Sequence, residues 1–392
     1  VMAGITTFMT MAYILAVNPS VLGSTGMDTT AVLLATALAS CLGTLCMAFM
    51  ATLPFALSAG MGLNAFMAYT VVAGYGYSWQ VALLAVFIEG LIFIVLSLTN
   101  IREAIFNAIP LTLKKGVSVG IGLFIAFIGL QNSGLCVDSA TLVGIISFPE
   151  NFHTAGICAL LTLIGLFFTA VFYTRKMKGA ILYGILLTWI LGMLCQVTGL
   201  YVPTPDAGFY SLFPSWGMTD FSRLGLTFGQ CFNVDFSAVG IVNFIVVIFS
   251  FLFVDIFDTL GTLIGVATKA KMLDKDGKLP GIKPALMADS IATSAGAILG
   301  TSTTTTFVES ASGVAVGGRT GLTALVTGIL FLVSTLFAPI FTAIPSFATA
   351  PALIMVGFLM VGTVTEINFD LDNLTESIPA YLAIIAMPLF YS

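Results

Sequence analysis

Residues 241 to 266 read Ile241-Val-Asn-Phe-Ile-Val-Val-Ile-Phe-Ser-Phe-Leu-Phe-Val-Asp-Ile-Phe-Asp-Thr-Leu-Gly-Thr-Leu-Ile-Gly-Val266. This run is long enough to span a bilayer, for which about 20 predominantly apolar residues are needed. Two acids, Asp255 and Asp258, lie inside it. A carboxylate at that depth is energetically costly, and it persists mainly where it lines a path or a binding site. The run therefore predicts a membrane-spanning helix that carries a functional acid.

The composition of the whole chain agrees with a membrane protein. Hydrophobic residues make up 58% of the chain, charged residues make up 8%, and the mean hydropathy is +1.09. A soluble domain carries roughly 25% charged residues, so a soluble fold is excluded. The six cysteines have no metal-binding spacing, and the sequence motifs of nucleotide-binding and hydrolytic enzymes are absent. We expect the lipid bilayer as the surroundings, and neither enzyme activity, cofactor, metal nor nucleic-acid partner.

Hydropathy divides the chain into thirteen candidate spans. Two stretches, 54–73 and 284–316, are too apolar for loops and too rich in Gly, Ser and Thr for ordinary spanning helices. We count the first as one span and the second as two. The predicted spans lie near 1–17, 30–50, 54–73, 79–98, 111–130, 154–173, 179–199, 238–266, 284–299, 300–316, 320–337, 351–365 and 377–392.

The basic residues give an orientation to these spans. Of the 13 Lys and Arg residues, all except Arg223 fall on one face of the predicted membrane. Cytoplasmic loops carry an excess of Lys and Arg, so this face is predicted to be cytoplasmic. We therefore expect a multi-pass protein of the cell membrane.

The two unusual stretches indicate an internal repeat. They contain the third and the tenth span, so each is third in a set of seven, and a second set of seven starts from the opposite side of the membrane. Interrupted spans at matching positions of an inverted repeat point to a transporter's binding site. We expect short strands at Thr303–Phe307 and Pro54–Ala59, before half-helices that begin near Val308 and Met61. The repeat also predicts fourteen spans, so the last span is expected to be missing. A short N-terminal piece is expected to be missing too, because the chain enters a hydrophobic segment directly at Val1.

The charged residues inside the predicted spans are almost all acidic. No Lys, Arg or His lies inside a span, apart from Lys114 and Lys115 at the edge of the fifth. A carboxylate is costly in the membrane when charged and is able to take up a proton there. This favours a carrier coupled to protons or other cations over an anion carrier. The acids are Glu89, Asp255, Asp258, Asp289 and Glu309.

Glu309 and Asp258 are the main binding candidates. Glu309 opens the half-helix of the tenth span, where its carboxylate can accept two N–H groups of a ligand. The alternative is a helix N-terminal acid favoured by the helix dipole. Asp255 and Asp258 are three residues apart, hence on roughly one helix face, with Thr262 one turn further on. We expect one of the two acids to meet ligand or proton and the other to be structural, with Asp258 favoured for the ligand.

Three further residues complete the candidate set. Asn64 follows the glycines of the third span and either binds the ligand or ties the half-helices together. Phe307, like Phe253 and Phe257, either stacks on a flat ring or packs against the bundle. Glu89 either carries protons, with Asp258, Glu309 and Asp255, or makes a hydrogen bond between helices.

Four motifs in the chain occur together in one transporter family. They are Ala3-Gly-Ile-Thr-Thr-Phe-Met-Thr-Met-Ala-Tyr-Ile-Leu-Ala-Val-Asn-Pro19, Pro54-Phe-Ala-Leu-Ser-Ala-Gly-Met-Gly-Leu-Asn-Ala65, Phe253-Val-Asp-Ile-Phe-Asp-Thr-Leu-Gly-Thr-Leu263 and Gly300-Thr-Ser-Thr-Thr-Thr-Thr-Phe-Val-Glu-Ser-Ala-Ser-Gly313. These motifs resemble the AzgA-like purine permeases, which belong to the wider nucleobase–cation symporter group of uracil and xanthine permeases. The resemblance extends over the whole chain.

The resemblance implies an all-α, seven-plus-seven inverted-repeat transporter domain over residues 1–392. Its core would comprise about 1–100 and 238–337, and its gate about 101–237 and 338–392. The implied activity is symport of hypoxanthine, guanine or adenine with a proton, by an elevator-like alternating-access mechanism. Asp258 and Glu309 match the family's substrate-binding acids, and Asn64 matches its polar residue in the third span. A homodimer is left open. The alternative functions are a passive nucleobase channel or facilitator and an anion transporter on the same fold.

Overall fold

The computed structural model describes helical segments at all thirteen predicted span positions, in the order that the sequence predicts. Arg102, Lys275 and Lys278 of the predicted cytoplasmic face lie outside the described residues. The described residues are 1–99, 101, 104, 108, 110–139, 142–149, 151–204, 209–214, 217–236, 239–269, 271–272, 279–367, 369 and 374–390.

Nine segments are helices long and apolar enough to cross a membrane within the described part of the chain. They cover Met2–Gly23, Thr29–Ala51, Trp79–Thr99, Leu111–Asn132, Phe152–Thr174, Ala180–Val197, Ile241–Ala267, Gly321–Thr342 and Ser346–Glu366. Four shorter or more polar segments complete the thirteen. They are Met61–Gly74 with the strand before it, Ile282–Leu299, Ser310–Ala315 with the strand before it, and Leu374–Phe390.

The first span is broken at Ala12 and Tyr13. It consists of one helix over Met2–Met11 and a second over Ile14–Gly23. The second helix passes the predicted end at residue 17, because the amide of Asn18 donates to Thr36 and Thr301 at 2.7 and 2.9 Å inside the bundle. A polar residue that finds partners in this way does not end a span.

Small residues allow the spans to cross closely. A side chain at Gly90 of the fourth span would overlap Ser294 of the ninth. A Cβ at Gly122 of the fifth span would lie 2.8 Å from the backbone oxygen of Gly357 in the twelfth. Such contacts bring backbones together where the hydrophobic effect does not drive helix association. The fifth span packs against the twelfth and the thirteenth, and the sixth packs against the seventh.

Two short strands meet in the middle of the bundle, as the sequence predicts. β1 (Leu57–Ala59) pairs antiparallel with β4 (Thr304–Thr306), with Ser58 opposite Thr305. Backbone bonds from Gly60 to Thr303 (2.9 Å) and from Phe307 to Ala56 (3.0 Å) extend the pair at both ends. The tenth-span helix begins at Ser310 rather than near Val308, because the N–H of Phe307 still extends the strand pairing by donating to Ala56, the residue before β1.

Hydroxyl side chains satisfy the outer edges of this strand pair. Thr44 accepts a bond from the N–H of Leu57 at 3.0 Å, and Ser310 accepts one from Ala56 at 3.0 Å. Thr293 donates to the backbone oxygen of Thr304 at 3.0 Å. Non-helical backbone is tolerated at membrane depth only where the protein supplies its partners. The Ser and Thr residues around the strands therefore make the interruption stable.

The loop between the seventh and eighth spans carries short 3₁₀ helices at Phe221–Leu226 and Gln230–Phe232, which hydropathy did not reveal. Arg223 in this loop pairs with Asp28 at 2.6 Å, and Gly229 donates to Ile298 at 2.7 Å. Hydrogen bonds from Ser222 hold the pKa of Asp220, next to Arg223, below its usual range. The loop is thus fastened to the second and ninth spans. A second pair of strands, β2 (Cys136–Ser139) and β3 (Leu142–Ile145), follows the fifth span.

Candidate functional site

Asp258 lies where the eighth span meets the strand pair. Its side chain is half-buried, and its Oδ2 accepts a hydrogen bond of 3.2 Å from the hydroxyl of Thr305 in β4. A Cβ at Gly60 would come within 3.4 Å of the same oxygen, so the glycine leaves the carboxylate accessible from the third span. One turn further on, Thr262 is also half-buried, and the space beside Gly261 is open. Asp258 and Thr262 therefore line one partly open face of the eighth span.

Glu309 lies immediately before the tenth-span helix Ser310–Ala315 and is half-buried. Its Oε1 accepts a hydrogen bond of 2.7 Å from the hydroxyl of Tyr13 at the break of the first span. The carboxylate makes no capping hydrogen bond to its own helix. The position of Glu309 at the helix N-terminus is compatible with both alternatives, ligand binding and an acid favoured by the helix dipole. Glu309 lies four residues after Thr305, the hydrogen-bond partner of Asp258, so both acids lie beside strand β4, and we refer to the two as the acid cluster.

Sequence reasoning missed Tyr13. The residue is 1% exposed, although its hydroxyl is polar, and it stands in the first of the four motifs. A tyrosine inside a span needs a partner for its hydroxyl, which was the signal available in the sequence. Nothing in the local sequence identified Glu309 as that partner.

Asp255 and Asp289 lie on the closed side of the eighth span. Both are fully buried, and the hydroxyl of Thr259 lies 2.9 Å from Asp255 Oδ1 and 3.0 Å from Asp289 Oδ1. Thr259 thereby links the eighth and ninth spans. Asp255 and Asp258 were expected on roughly one face, but they contact different neighbours. Three residues along a helix rotate by about 300°, so the two side chains diverge by about 60°.

Asn64 lies in the half-helix of the third span and is 1% exposed. Ser302 donates a hydrogen bond to its Oδ1, which ties the third span to the tenth. Within the described residues, no acceptor engages the Nδ2 of Asn64. The side chain therefore makes the bridge between the interrupted spans that the sequence offered as one of its two roles, and ligand binding by Asn64 stays a prediction.

Glu89 of the fourth span is fully buried beside the tenth segment. Its Oε2 accepts a bond of 2.7 Å from the hydroxyl of Thr303, just before β4. The contact connects the fourth span to the strand pair. It is the helix-linking geometry that the sequence offered as the alternative to proton transfer for this residue.

The three phenylalanines differ in exposure. Phe307 is 5% exposed, Phe257 is half-buried and Phe253 is 48% exposed. Phe253 lines an apolar cavity of about 330 Å³ between the third, fifth, eighth and thirteenth spans. The other residues along this cavity are Gly62, Phe66, Ile121, Phe124, Val246, Phe249, Ser250, Val254 and Met387.

The site is acidic, and the described part of the chain shows no basic partner for its two carboxylic acids. The ion pairs among the described residues, Lys115 with Glu366 and Arg223 with Asp28 and Asp220, all lie at span ends or in loops. None of these pairs involves Asp258 or Glu309. A cluster of two acids is suited to N–H donors and to cations, including protons.

Known proteins resemble this chain over its full length. Residues 1–390 match the sequence model of the xanthine/uracil permease family. The guanine/hypoxanthine permease PbuG of Bacillus subtilis is 46% identical over 100% of this chain and 86% of its own length. The adenine permease AdeQ of Escherichia coli is 40% identical over 100% of this chain and 82% of its own. A permease of Methanocaldococcus jannaschii is 48% identical over 100% of this chain and 84% of its own length.

Solved structures show the same fold at low sequence identity. The transmembrane domain of the cyanobacterium bicarbonate transporter BicA superposes with a TM-score of 0.70 at 15% identity, covering 99% of this chain and 94% of that one. The likeness confirms the transporter fold that the sequence predicts. Together with the full-length matches, it establishes that the chain belongs to the xanthine/uracil permease family and is a multi-pass membrane transporter rather than an enzyme.

Proposed function

We propose that this permease is a purine nucleobase:proton symporter of the cell membrane. The observation that carries the proposal is the cluster of Asp258 and Glu309, two half-buried acids beside the interrupted third and tenth spans. The names of PbuG and AdeQ support a purine substrate, because guanine, hypoxanthine and adenine are the bases that these relatives carry. They leave open which purine this chain prefers.

The acid pair suits the hydrogen-bonding edge of a purine. Guanine, hypoxanthine and adenine all present N–H groups, and a carboxylate accepts such groups with stronger bonds than a neutral oxygen does. Asn64 supplies a donor from its Nδ2 for a ring nitrogen or a carbonyl of the base. Thr262 completes the polar edge, and Phe307 is assigned a contact with the flat face of the ring. The roles of the two acids and Asn64 follow the matches of the sequence motifs to the family, and those of Thr262 and Phe307 follow from their positions beside the acids in the sequence.

Proton coupling is proposed to use the same acids. A charged carboxylate inside the membrane is costly, so its protonation is linked to ligand occupancy and to movement through the bilayer. Asp258 and Glu309 are the first candidates, since they are half-buried and both lie beside strand β4. Asp255 and Glu89 are fully buried and are the second candidates for the proton path.

Movement is proposed to follow the division into a core, about 1–100 and 238–337, and a gate, about 101–237 and 338–392. The packing of the fifth span on the twelfth and thirteenth supports the gate as one unit. The pairing of β1 with β4 supports the core as another, because it joins the two halves of the chain at the acid cluster. In an elevator-like cycle, the core carries the bound purine across the membrane along the gate.

A competition experiment tests the substrate class. The protein is produced in a host that lacks purine transport, and uptake of labelled hypoxanthine is measured against adenine, guanine, xanthine, uracil, sulfate and bicarbonate. The proposal predicts that purines compete and the two inorganic anions do not. A protonophore should abolish accumulation above the external concentration. If hypoxanthine only reaches its external concentration inside the cell, and a protonophore has no effect, the protein is a facilitator. If sulfate and bicarbonate compete and the purines do not, it is an anion carrier.

A further inference from the structure

We propose that Tyr13 is a positioning residue that fixes the carboxylate of Glu309 in the orientation needed to bind a purine. The inference rests on the proposed function, since it assigns a task to Tyr13 within the same site. The two residues are 296 positions apart in the chain and are joined by a hydrogen bond of 2.7 Å. Within the described residues, no other side chain donates to this carboxylate.

The break in the first span places the tyrosine. Tyr13 lies between the helices Met2–Met11 and Ile14–Gly23, and only 1% of it is exposed. A buried hydroxyl does not exchange its partner for bulk water, so losing Glu309 would leave a buried donor unsatisfied. The position of Tyr13 therefore favours a persistent bond to Glu309.

A second contact fixes the register of the two segments. The hydroxyl of Thr10 lies 2.8 Å from that of Ser312, and Ser312 in turn donates to the backbone oxygen of Glu309 at 2.7 Å. Thr10 precedes Tyr13 by three residues, and Ser312 follows Glu309 by three, so the contacts lie on matching helix faces. The first span thus holds the start of the tenth-span helix at two points.

The chemistry of the pair explains why positioning matters. A tyrosine hydroxyl has one proton, which is donated to Oε1 of Glu309, and its oxygen retains acceptor capacity. Oε2 and the second lone pair of Oε1 then remain as acceptors for N–H groups of the base. A glutamate in a partly open site otherwise samples several rotamers, and binding would have to order it. Fixing the side chain before the ligand arrives increases affinity by removing that cost.

Replacing the hydroxyl tests the inference. Tyr13→Phe keeps the ring and removes the donor. We expect purine binding to weaken about tenfold, as for the loss of one hydrogen bond to a charged group, with the KM of uptake raised and the maximal rate retained. Tyr201→Phe is the matched control, because Tyr201 donates a bond of 2.8 Å to Tyr210 in the outer loop. It should leave the KM unchanged. An unchanged KM in Tyr13→Phe would overturn the inference.

A double-mutant cycle separates positioning from a general packing effect. Glu309→Asp shortens the side chain by one methylene and withdraws it from Tyr13. In that background, Tyr13→Phe should change the KM by less than twofold, because the bond it removes is already lost. The same tenfold effect in both backgrounds would show that Tyr13 acts independently of Glu309. If labelled hypoxanthine does not bind the unaltered protein, the proposed function fails; if it binds, and Glu309→Gln weakens binding while Tyr13→Phe does not, only the role of Tyr13 fails.

Discussion

The carboxylate of Asp258 accepts a hydrogen bond of 3.2 Å from the hydroxyl of Thr305, and this contact joins the eighth span to strand β4. Because β4 pairs with β1, the acid is held against the two interrupted spans at the centre of the bundle. Glu309 follows β4 by three residues, so both acids are positioned by the same short strand. The strand pair therefore places both acids beside the two interrupted spans.

Removing the charge of Glu309 should weaken purine binding. Glu309→Gln keeps the size of the side chain but replaces one acceptor oxygen with an N–H₂ donor, so a purine N–H loses its partner. The expected loss is on the order of 2–3 kcal/mol, as for a hydrogen bond to a charged group. Equilibrium binding of labelled hypoxanthine to purified protein measures it. Unchanged affinity would show that Glu309 is not the ligand's anchor.

The two acids of the eighth span should respond differently to neutralisation. Asp258→Asn should abolish concentrative purine uptake in correctly inserted protein, because Asp258 is half-buried in the acid cluster. Asp255→Asn should act mainly on folding, since Asp255 is fully buried at Thr259. Uptake and membrane abundance are measured together for both variants. Loss of uptake in abundant Asp255→Asn protein, with Asp258→Asn silent, would reverse the assignment.

A covalent link between core and gate should stop an elevator-like movement. A Cβ at Gly62 would lie 2.8 Å from Cγ2 of Ile121, so cysteines at these two positions, in a background without the native cysteines, are within reach of each other. Oxidation should block uptake, and reduction should restore it. The control links Gly116 to Ala380, where a Cβ would lie 3.1 Å from that of Ala380 and both residues belong to the proposed gate. Full uptake by the oxidised Gly62–Ile121 protein would rule out relative movement at this contact.

Asp28 should stabilise the outer end of the second span in two ways. Its Oδ1 caps the helix by accepting from Ala31 at 2.9 Å, and its Oδ2 pairs with Arg223. Asp28→Ala should cost about 1 kcal/mol from the lost cap. Asp28→Asn keeps an acceptor for the cap and loses only the ion pair with Arg223. It should reduce stability less than Asp28→Ala does, because an ion pair to a half-exposed arginine contributes little. Thermal unfolding in detergent compares them, and equal losses would contradict the capping role.

The spans and the strand pair were predictable, because hydropathy and the run of β-branched threonines are local signals. The site was predictable in its acids, since a carboxylate in an apolar run is conspicuous in the sequence. Tyr13 was not, because its hydroxyl is hidden in an apolar segment and its partner lies 296 residues away. The sequence also did not show that Asp255 contacts Thr259 while Asp258 contacts Thr305. These contacts depend on how neighbouring spans pack, which a spacing of three residues does not specify. The 3₁₀ helices near Arg223 were missed because they are short and have no apolar period.

We expect a proton gradient to drive purine uptake, with Asp258 and Glu309 as the residues that bind the proton. Uptake of labelled hypoxanthine is measured in proteoliposomes with an imposed pH gradient and, separately, with an imposed sodium gradient at constant pH. A proton symporter should accumulate purine when the outside is more acidic, ignore sodium, and lose accumulation in Asp258→Asn. Accumulation that follows the sodium gradient, with no response to external acidification, would contradict proton coupling.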